Sequence, residues 1–146
     1  MGNMSRIFRH AIPLVVNCAF FFYLTASLCP AQEQEIIAGG EIEYQRHCAT
    51  CHGTDGRGNG SLASQLRTQP ADLTRISKNN GGQFPFWRVY RIIDGREEIT
   101  GHGSREMPVW GARFQEETHG ADRSAQSLVA GRILGLVFYL RHIQQE

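Results

Sequence analysis

Residues 48–52 read Cys-Ala-Thr-Cys-His, and no other segment constrains the fold of this 146-residue chain as strongly. Thiols three positions apart, here those of Cys48 and Cys51, lie on neighbouring positions of one helical turn and can both reach the same flat partner. The imidazole of His52, the next residue, can then bind a metal held by that partner. Cys-x-x-Cys-His is the attachment signature of c-type haem. We therefore expect both cysteines to hold one haem covalently and His52 to ligate its iron.

Three other interpretations of the cysteine pair compete with haem. A thioredoxin-like redox pair requires a strand before Cys48 in a βαβ setting, and the sequence predicts none there. A structural zinc site requires two more ligands, usually a second close pair. The other candidates for such ligands have no suitable spacing: His47, His102 and His119. A plain disulfide would leave His52 without a role, so the five-residue pattern favours haem.

The first 31 residues have the layout of a secretory signal. A basic start with Arg6 and Arg9 and no acid precedes an apolar run over residues 11–28, and Ala31 supplies a small residue at the exit. We predict cleavage after Ala31, which makes residues 1–31 a signal peptide and exports the protein to the periplasm. The alternative is an uncleaved anchor, because the apolar run is long enough for a marginal membrane span. The run is near the short limit for such a span, which favours cleavage.

The remaining residues, 32–146, are short enough for one domain. Without the basic start, the formal charge of this part is about −1, and it contains a single lysine, Lys78. No basic stripe is present, which argues against nucleic acid as a partner. Membrane association is expected only if the N-terminal segment is not removed.

The hydrophobic pattern predicts an all-α fold with short helices and loops around one haem. Glycine occupies four of eight positions in 53–60, which predicts a loop, and Gly95 is placed as a helix stop. Residues 101–111 are expected to be irregular, and residues 115–123 to form a polar surface connection. We expect a chain with this many glycines to form only a small hydrophobic core of its own, which a buried apolar cofactor would complete. The predicted helices are Ile36–Cys48, Phe84–Asp94 and Ser124–Gln144, with one or two turns in Ser61–Arg67.

A haem iron in an electron carrier requires a second axial ligand, usually Met or His. Met107 is the only methionine after the attachment motif, and Pro108 and Gly111 favour non-helical backbone from which its thioether can project inward. Packing in the core is the other role open to a lone methionine. The remaining candidates for the sixth ligand are the histidines that follow the motif: His102, His119 and His142.

The chain resembles the class I c-type cytochromes, the small helical monohaem family, over nearly all of residues 36–144. The resemblance is carried by Gly40 and Tyr44 before Cys48–Gly53, and by Pro70–Leu73, Ile92–Gly95, Met107–Gly111 and Tyr139–Arg141. It implies that the carbonyl of Pro70 accepts a hydrogen bond from the free ring nitrogen of His52, as metal-ligating histidines generally require. The alternative for Pro70 is an ordinary turn proline. The mitochondrial members dock through a lysine-rich face, which this chain does not have.

These features predict a periplasmic carrier of single electrons between redox protein partners, with a haem ligated by His52 and Met107. A filled sixth position leaves no site for a substrate, so we do not expect an enzyme. Two alternatives stay open: a haem-bearing subunit of a larger oxidoreductase complex, and a five-coordinate haem enzyme in which Met107 is not bound.

Overall fold

The computed structural model describes residues 28–97, 107–118 and 122–145. The chain divides into two units, residues 1–35 and 36–146, and the first is described only over its last, helical residues. The described ranges contain helices and loops and no strand, which confirms the all-α prediction. The helices are α1 (Leu28–His47), α2 (Ala49–His52), α3 (Ile76–Asn79), α4 (Phe86–Asp94), α5 (Trp110–Glu117) and α6 (Arg123–His142), with 3₁₀ turns at Ala63–Gln65 and Leu73–Arg75.

Most of the predicted signal segment lies outside the described residues, which begin at Leu28. Among the helices that are described, none combines the length and the hydropathy needed to cross a membrane. The cleavage site after Ala31 stays a prediction.

The first and last long helices, α1 and α6, cross in direct backbone contact. A side chain at Gly40 would overlap the carbonyl of Gly135, so only glycine fits at this crossing. One turn further along α1, the ring of Tyr44 packs on that of Tyr139, with 5.1 Å between ring centroids. This crossing places the C-terminal end of α1, which leads into the cysteine motif, against α6.

The core draws on every helix of eight or more residues, and it is larger than the glycine content suggested. Burying one such side chain stabilises the fold by about 1.5–3 kcal/mol. Its large buried side chains include Tyr44, Val89, Ile93, Trp110, Phe114, Ile133, Leu136, Val137, Tyr139 and Leu140.

Helix α5 corrects two expectations, an irregular stretch up to residue 111 and a polar connection from residue 115. Trp110 and Phe114 lie four residues apart, so they share one helix face, and both are buried. Their burial stabilises a helix here, although the polar residues after Phe114 predict a surface connection.

Helix α4 ends as predicted at Gly95, whose φ of +88° suits a left-handed cap. Helix α5 begins directly against this end. A side chain at Gly95 would overlap Val109, and one at Gly111 would overlap Asp94. The segment that follows Met107 is therefore packed against the end of α4 at van der Waals distance.

Candidate haem site

The cysteine motif forms a single helical turn that continues from α1. The amide of Cys48 donates to the carbonyl of Tyr44 over 2.8 Å, and the amide of His52 donates to the carbonyl of Cys48 over 2.8 Å. The thiols of Cys48 and Cys51 are free and half-buried. The structure therefore places both thiols and the imidazole on one turn, as the spacing predicts.

The glycine-rich loop over residues 53–60 folds back onto this turn. A helix end leaves backbone carbonyls without partners. Here the amide of Gly58 donates to the carbonyl of His52 over 2.7 Å, and that of Gly60 donates to the carbonyl of Cys51 over 3.1 Å. A side chain at Gly60 would overlap the backbone of the turn, so glycine is required for this approach.

Tyr44 braces the other end of the same loop. Its hydroxyl donates to the carbonyl of Gly53 over 2.7 Å, and its side chain has no exposed surface. Burial, followed by the nearby Cys48 thiol, raises the pKa of Tyr44 above its ordinary value, so the phenol stays protonated as the donor. The start of the loop is thus tied to the core.

The ring of His52 bonds to a carbonyl, but not to the predicted one. Its Nδ1 lies 3.1 Å from the carbonyl oxygen of Ala71. The carbonyl of Pro70 instead lies close to the α-carbon of Gly58. The next carbonyl along the chain, that of Ala71, therefore bonds to the imidazole. Because a carbonyl only accepts, Nδ1 carries the proton and the Nε2 lone pair is left for a metal. Burial lowers the pKa of His52, with the bond to Ala71 opposing, which favours this neutral ring.

The electrostatics at Cys48 do not suit a reactive redox thiol. Burial, followed by Glu43 and Cys51, raises the pKa of the Cys48 thiol to about 12. Reactive redox cysteines require the opposite shift. In the described part of the chain no strand precedes Cys48, and no three His, Cys, Asp or Glu side chains are grouped as a metal site would require. Two half-buried thiols on one turn, beside an imidazole with a free Nε2, are the donor set that covalent haem requires.

Met107 is half-buried and packs against the core. Three residues later, the ring of Trp110 contacts the ring of His47, with 5.3 Å between centroids, and His47 directly precedes Cys48. The structure therefore joins the methionine segment to the cysteine turn through an aromatic contact. Among the other candidate ligands, His142 is exposed at the end of α6, and His102 and His119 lie outside the described residues. Iron ligation by Met107 stays a prediction.

Sequence reasoning missed Arg132, which bonds to α1 and α5 from the middle of α6. Its guanidinium donates to Glu43 and to Glu117, and its side chain is only 23 % exposed. The sequence does contain an indication of this role, since Arg132 is the only charged residue between Arg123 and Arg141. A lone charge in an apolar helix requires a carboxylate partner.

A family model described as cytochrome c oxidase, cbb3-type, subunit III matches residues 35–121, more than half of the chain. Curated proteins and solved structures give no match. The matched range contains the whole cysteine turn, the bond between His52 and Ala71, and Met107.

Proposed function

The chain belongs to the family of cytochrome c oxidase, cbb3-type, subunit III, a family of cytochrome c domains that transfer electrons on haem, and we propose that this member binds one haem through residues 48–52 and Met107. The observation that carries the proposal is the turn itself, with its two thiols and the Nδ1 of His52 already bonded to Ala71. Bound haem supplies an iron that alternates between the ferric and ferrous states.

Different side chains would hold the haem in different ways. The thiols of Cys48 and Cys51 anchor it covalently, while the bond to Ala71 fixes the ring orientation of His52. The imidazole of His52 and the thioether of Met107 would both hold the iron, which would leave no position on it for a substrate. A carrier of single electrons follows from that ligand set, and methionine raises its reduction potential relative to a second histidine.

The proposed setting is the periplasm, with residues 1–31 removed as a signal peptide and residues 32–146 as the mature protein. The basic start and apolar run support export. The proposed partners are redox proteins, a donor and an acceptor, because the group exchanges only electrons.

The family description favours a second form of the same function, in which the chain is a haem-bearing subunit of an oxidase complex. Size-exclusion chromatography of a native extract separates the two forms. A carrier elutes near the 16.4 kDa of the chain, or below it after cleavage, whereas a subunit elutes with a much larger complex.

Covalent attachment is tested by extraction with acid and acetone, which thioether bonds survive. We expect haem to stay with the wild-type protein, and Cys48→Ala and Cys51→Ala each to leave at most one linkage and little holoprotein. Cys18→Ala, in the predicted signal, is the matched control and should leave the haem content unchanged. Haem that passes into the solvent from the wild-type protein would contradict the proposal.

A further inference from the structure

Arg132 of α6 joins two helices that are far apart in sequence. Its Nη2 donates to Oε2 of Glu43 on α1 over 2.8 Å, and its Nη1 donates to Oε2 of Glu117 on α5 over 2.7 Å. Its Cζ also lies 3.8 Å from the ring centroid of Phe114, within range of a cation–π contact. One guanidinium therefore contacts α1 and both the buried and the exposed side of α5.

The ring of His47 continues this contact. It lies 5.3 Å from the ring of Phe114 and 5.3 Å from that of Trp110, measured between centroids. Nη2 of Arg132 lies 3.3 Å from its Nε2, and Glu43 lies 3.5 Å from the same nitrogen. The last turn of α1 and the whole length of α5 thus meet around Arg132. We call these residues the Arg132 cluster: Glu43, His47, Trp110, Phe114, Glu117 and Arg132.

The guanidinium is suited to this place in a way that an ammonium is not. Burial disfavours the charge of Arg132, but the hydrogen bonds to Glu43 and Glu117 outweigh it and raise its pKa above the ordinary value. The fork of a guanidinium can serve two carboxylates at fixed angles, whereas lysine offers a single point charge. Substitution by lysine therefore cannot reproduce both bonds.

The cluster lies between the two segments that carry the axial ligands of the proposed function. Helix α1 ends one residue before Cys48, and α5 begins three residues after Met107. Pro108 stiffens the short link between Met107 and α5. A shift of α5 relative to α1 would therefore move Met107 relative to the cysteine turn.

We propose that Arg132 is a positioning residue for the distal ligand: by joining Glu43 to Glu117 it holds α5, and with it Met107, at a fixed place relative to the cysteine turn. The inference rests on the proposed ligation by Met107. It gives Arg132, the one charged residue between Arg123 and Arg141, a role in setting the iron site from a distance.

The test compares the holoproteins of Arg132→Met, Arg132→Lys and Arg123→Met. Methionine keeps an unbranched stem but removes the charge and all donors, and Arg123→Met removes an exposed charge from the same helix. The first readout is carbon monoxide binding to the reduced protein, which requires Met107 to leave the iron. The second readout is the rate of amide hydrogen exchange over residues 113–117 of α5, compared with the rate over residues 44–47 of α1.

For Arg132→Met we expect binding of carbon monoxide and exchange in α5 to accelerate by about tenfold, as the loss of the charged hydrogen bond to Glu117 of α5 implies. The ferric sulfur-to-iron charge-transfer band should weaken in parallel. Arg132→Lys should give an intermediate effect, and Arg123→Met none. A merely structural role would instead accelerate exchange in α1 and α5 alike, and this result, or wild-type behaviour of Arg132→Met, would overturn the inference.

A parallel Met107→Ala variant separates this inference from the proposed function. If Met107→Ala keeps the wild-type spectrum, ligation by Met107 fails and the inference falls with it. If Met107→Ala loses the band while Arg132→Met does not change, ligation stands and only the inference fails. Should Arg132→Met yield no holoprotein, Glu117→Ala, at a half-exposed side chain, decides: faster exchange confined to α5 supports the role of Arg132, and unchanged exchange overturns it.

Discussion

The cysteine turn and the methionine segment are held in place by different kinds of contact. Around residues 48–60, backbone groups bond to backbone groups, and glycines let the loop reach the turn. Around residues 107–117, position depends on side chains: Trp110 on His47, and Glu117 on Arg132. The first side should therefore be sensitive mainly to added atoms, whereas the second, where Gly111 also meets Asp94, should be sensitive to lost side-chain contacts as well.

This difference also separates what each side contributes to the proposed function. The cysteine side would anchor the group through covalent bonds and through the ring of His52, which bonds to Ala71. The methionine side would contribute one exchangeable bond, from the sulfur of Met107 to the iron. Damage to the methionine side should open the iron without releasing the haem.

The largest effect is expected from Trp110→Ala. Removing a large buried ring costs about 3–5 kcal/mol in the free energy of unfolding, and Trp110 is only 8 % exposed. Denaturation of the holoprotein measures this loss, and Trp110→Phe should retain most of the contact with His47. Covalent haem content should stay at the wild-type level, and a loss of attached haem would show that the two sides are not independent.

A smaller loss is expected from Gly60→Ala on the cysteine side. The added carbon would overlap the backbone of the turn, and such overpacking costs about 1–3 kcal/mol. Gly131→Ala is the matched control, since a side chain there meets nothing within 4 Å and alanine favours the helix. The ratio of attached haem to protein should fall for Gly60→Ala alone, and equal behaviour of the two variants would contradict the role given to the glycine loop.

The smallest effect is an acid dependence confined to the methionine side. The hydrogen bond from Arg132 is the main cause that lowers the pKa of Glu117 below its ordinary 4.5. A lowered folded pKa means that the contribution of this bond is complete above the ordinary pKa and is lost as the pH falls through the lowered one. The protection of the α5 amides, which is the slowing of their exchange relative to that of an unstructured chain at the same pH, should therefore fall in acid. Glu117→Gln should remove the part of this dependence that Glu117 contributes. An unchanged acid profile in that variant would contradict the role given to Glu117.

The two sides also differ in how far the sequence predicts them. The cysteine turn, the end of α4 at Gly95 and the long helix α6 follow from local spacing, and the structure has each of them. The resemblance implies Pro70 as the partner of His52, but the structure has Ala71, and the carbonyl of Pro70 lies against Gly58. The direction of a carbonyl depends on packing outside its own segment, which local spacing does not predict.

The methionine side depends on distant residues and was predicted less well. The sequence does not predict helix α5, because its last residues are polar and the helix is stabilised by the burial of Trp110 and Phe114. The partners of Arg132 lie 89 residues before it in Glu43 and 15 before it in Glu117, beyond any local pattern. Only the isolation of its charge in α6 indicated that it had a function.

The most direct test of the account is the spectrum and reduction potential of Met107→Ala beside wild type, with exposed His142→Gln as the control. We expect the wild-type ferric protein to show the sulfur-to-iron charge-transfer band. Met107→Ala should lose that band, have a lower potential and bind carbon monoxide readily when reduced, while its haem stays attached. His142→Gln should match the wild type. A Met107→Ala protein with the wild-type band and potential would contradict the assignment of the distal ligand.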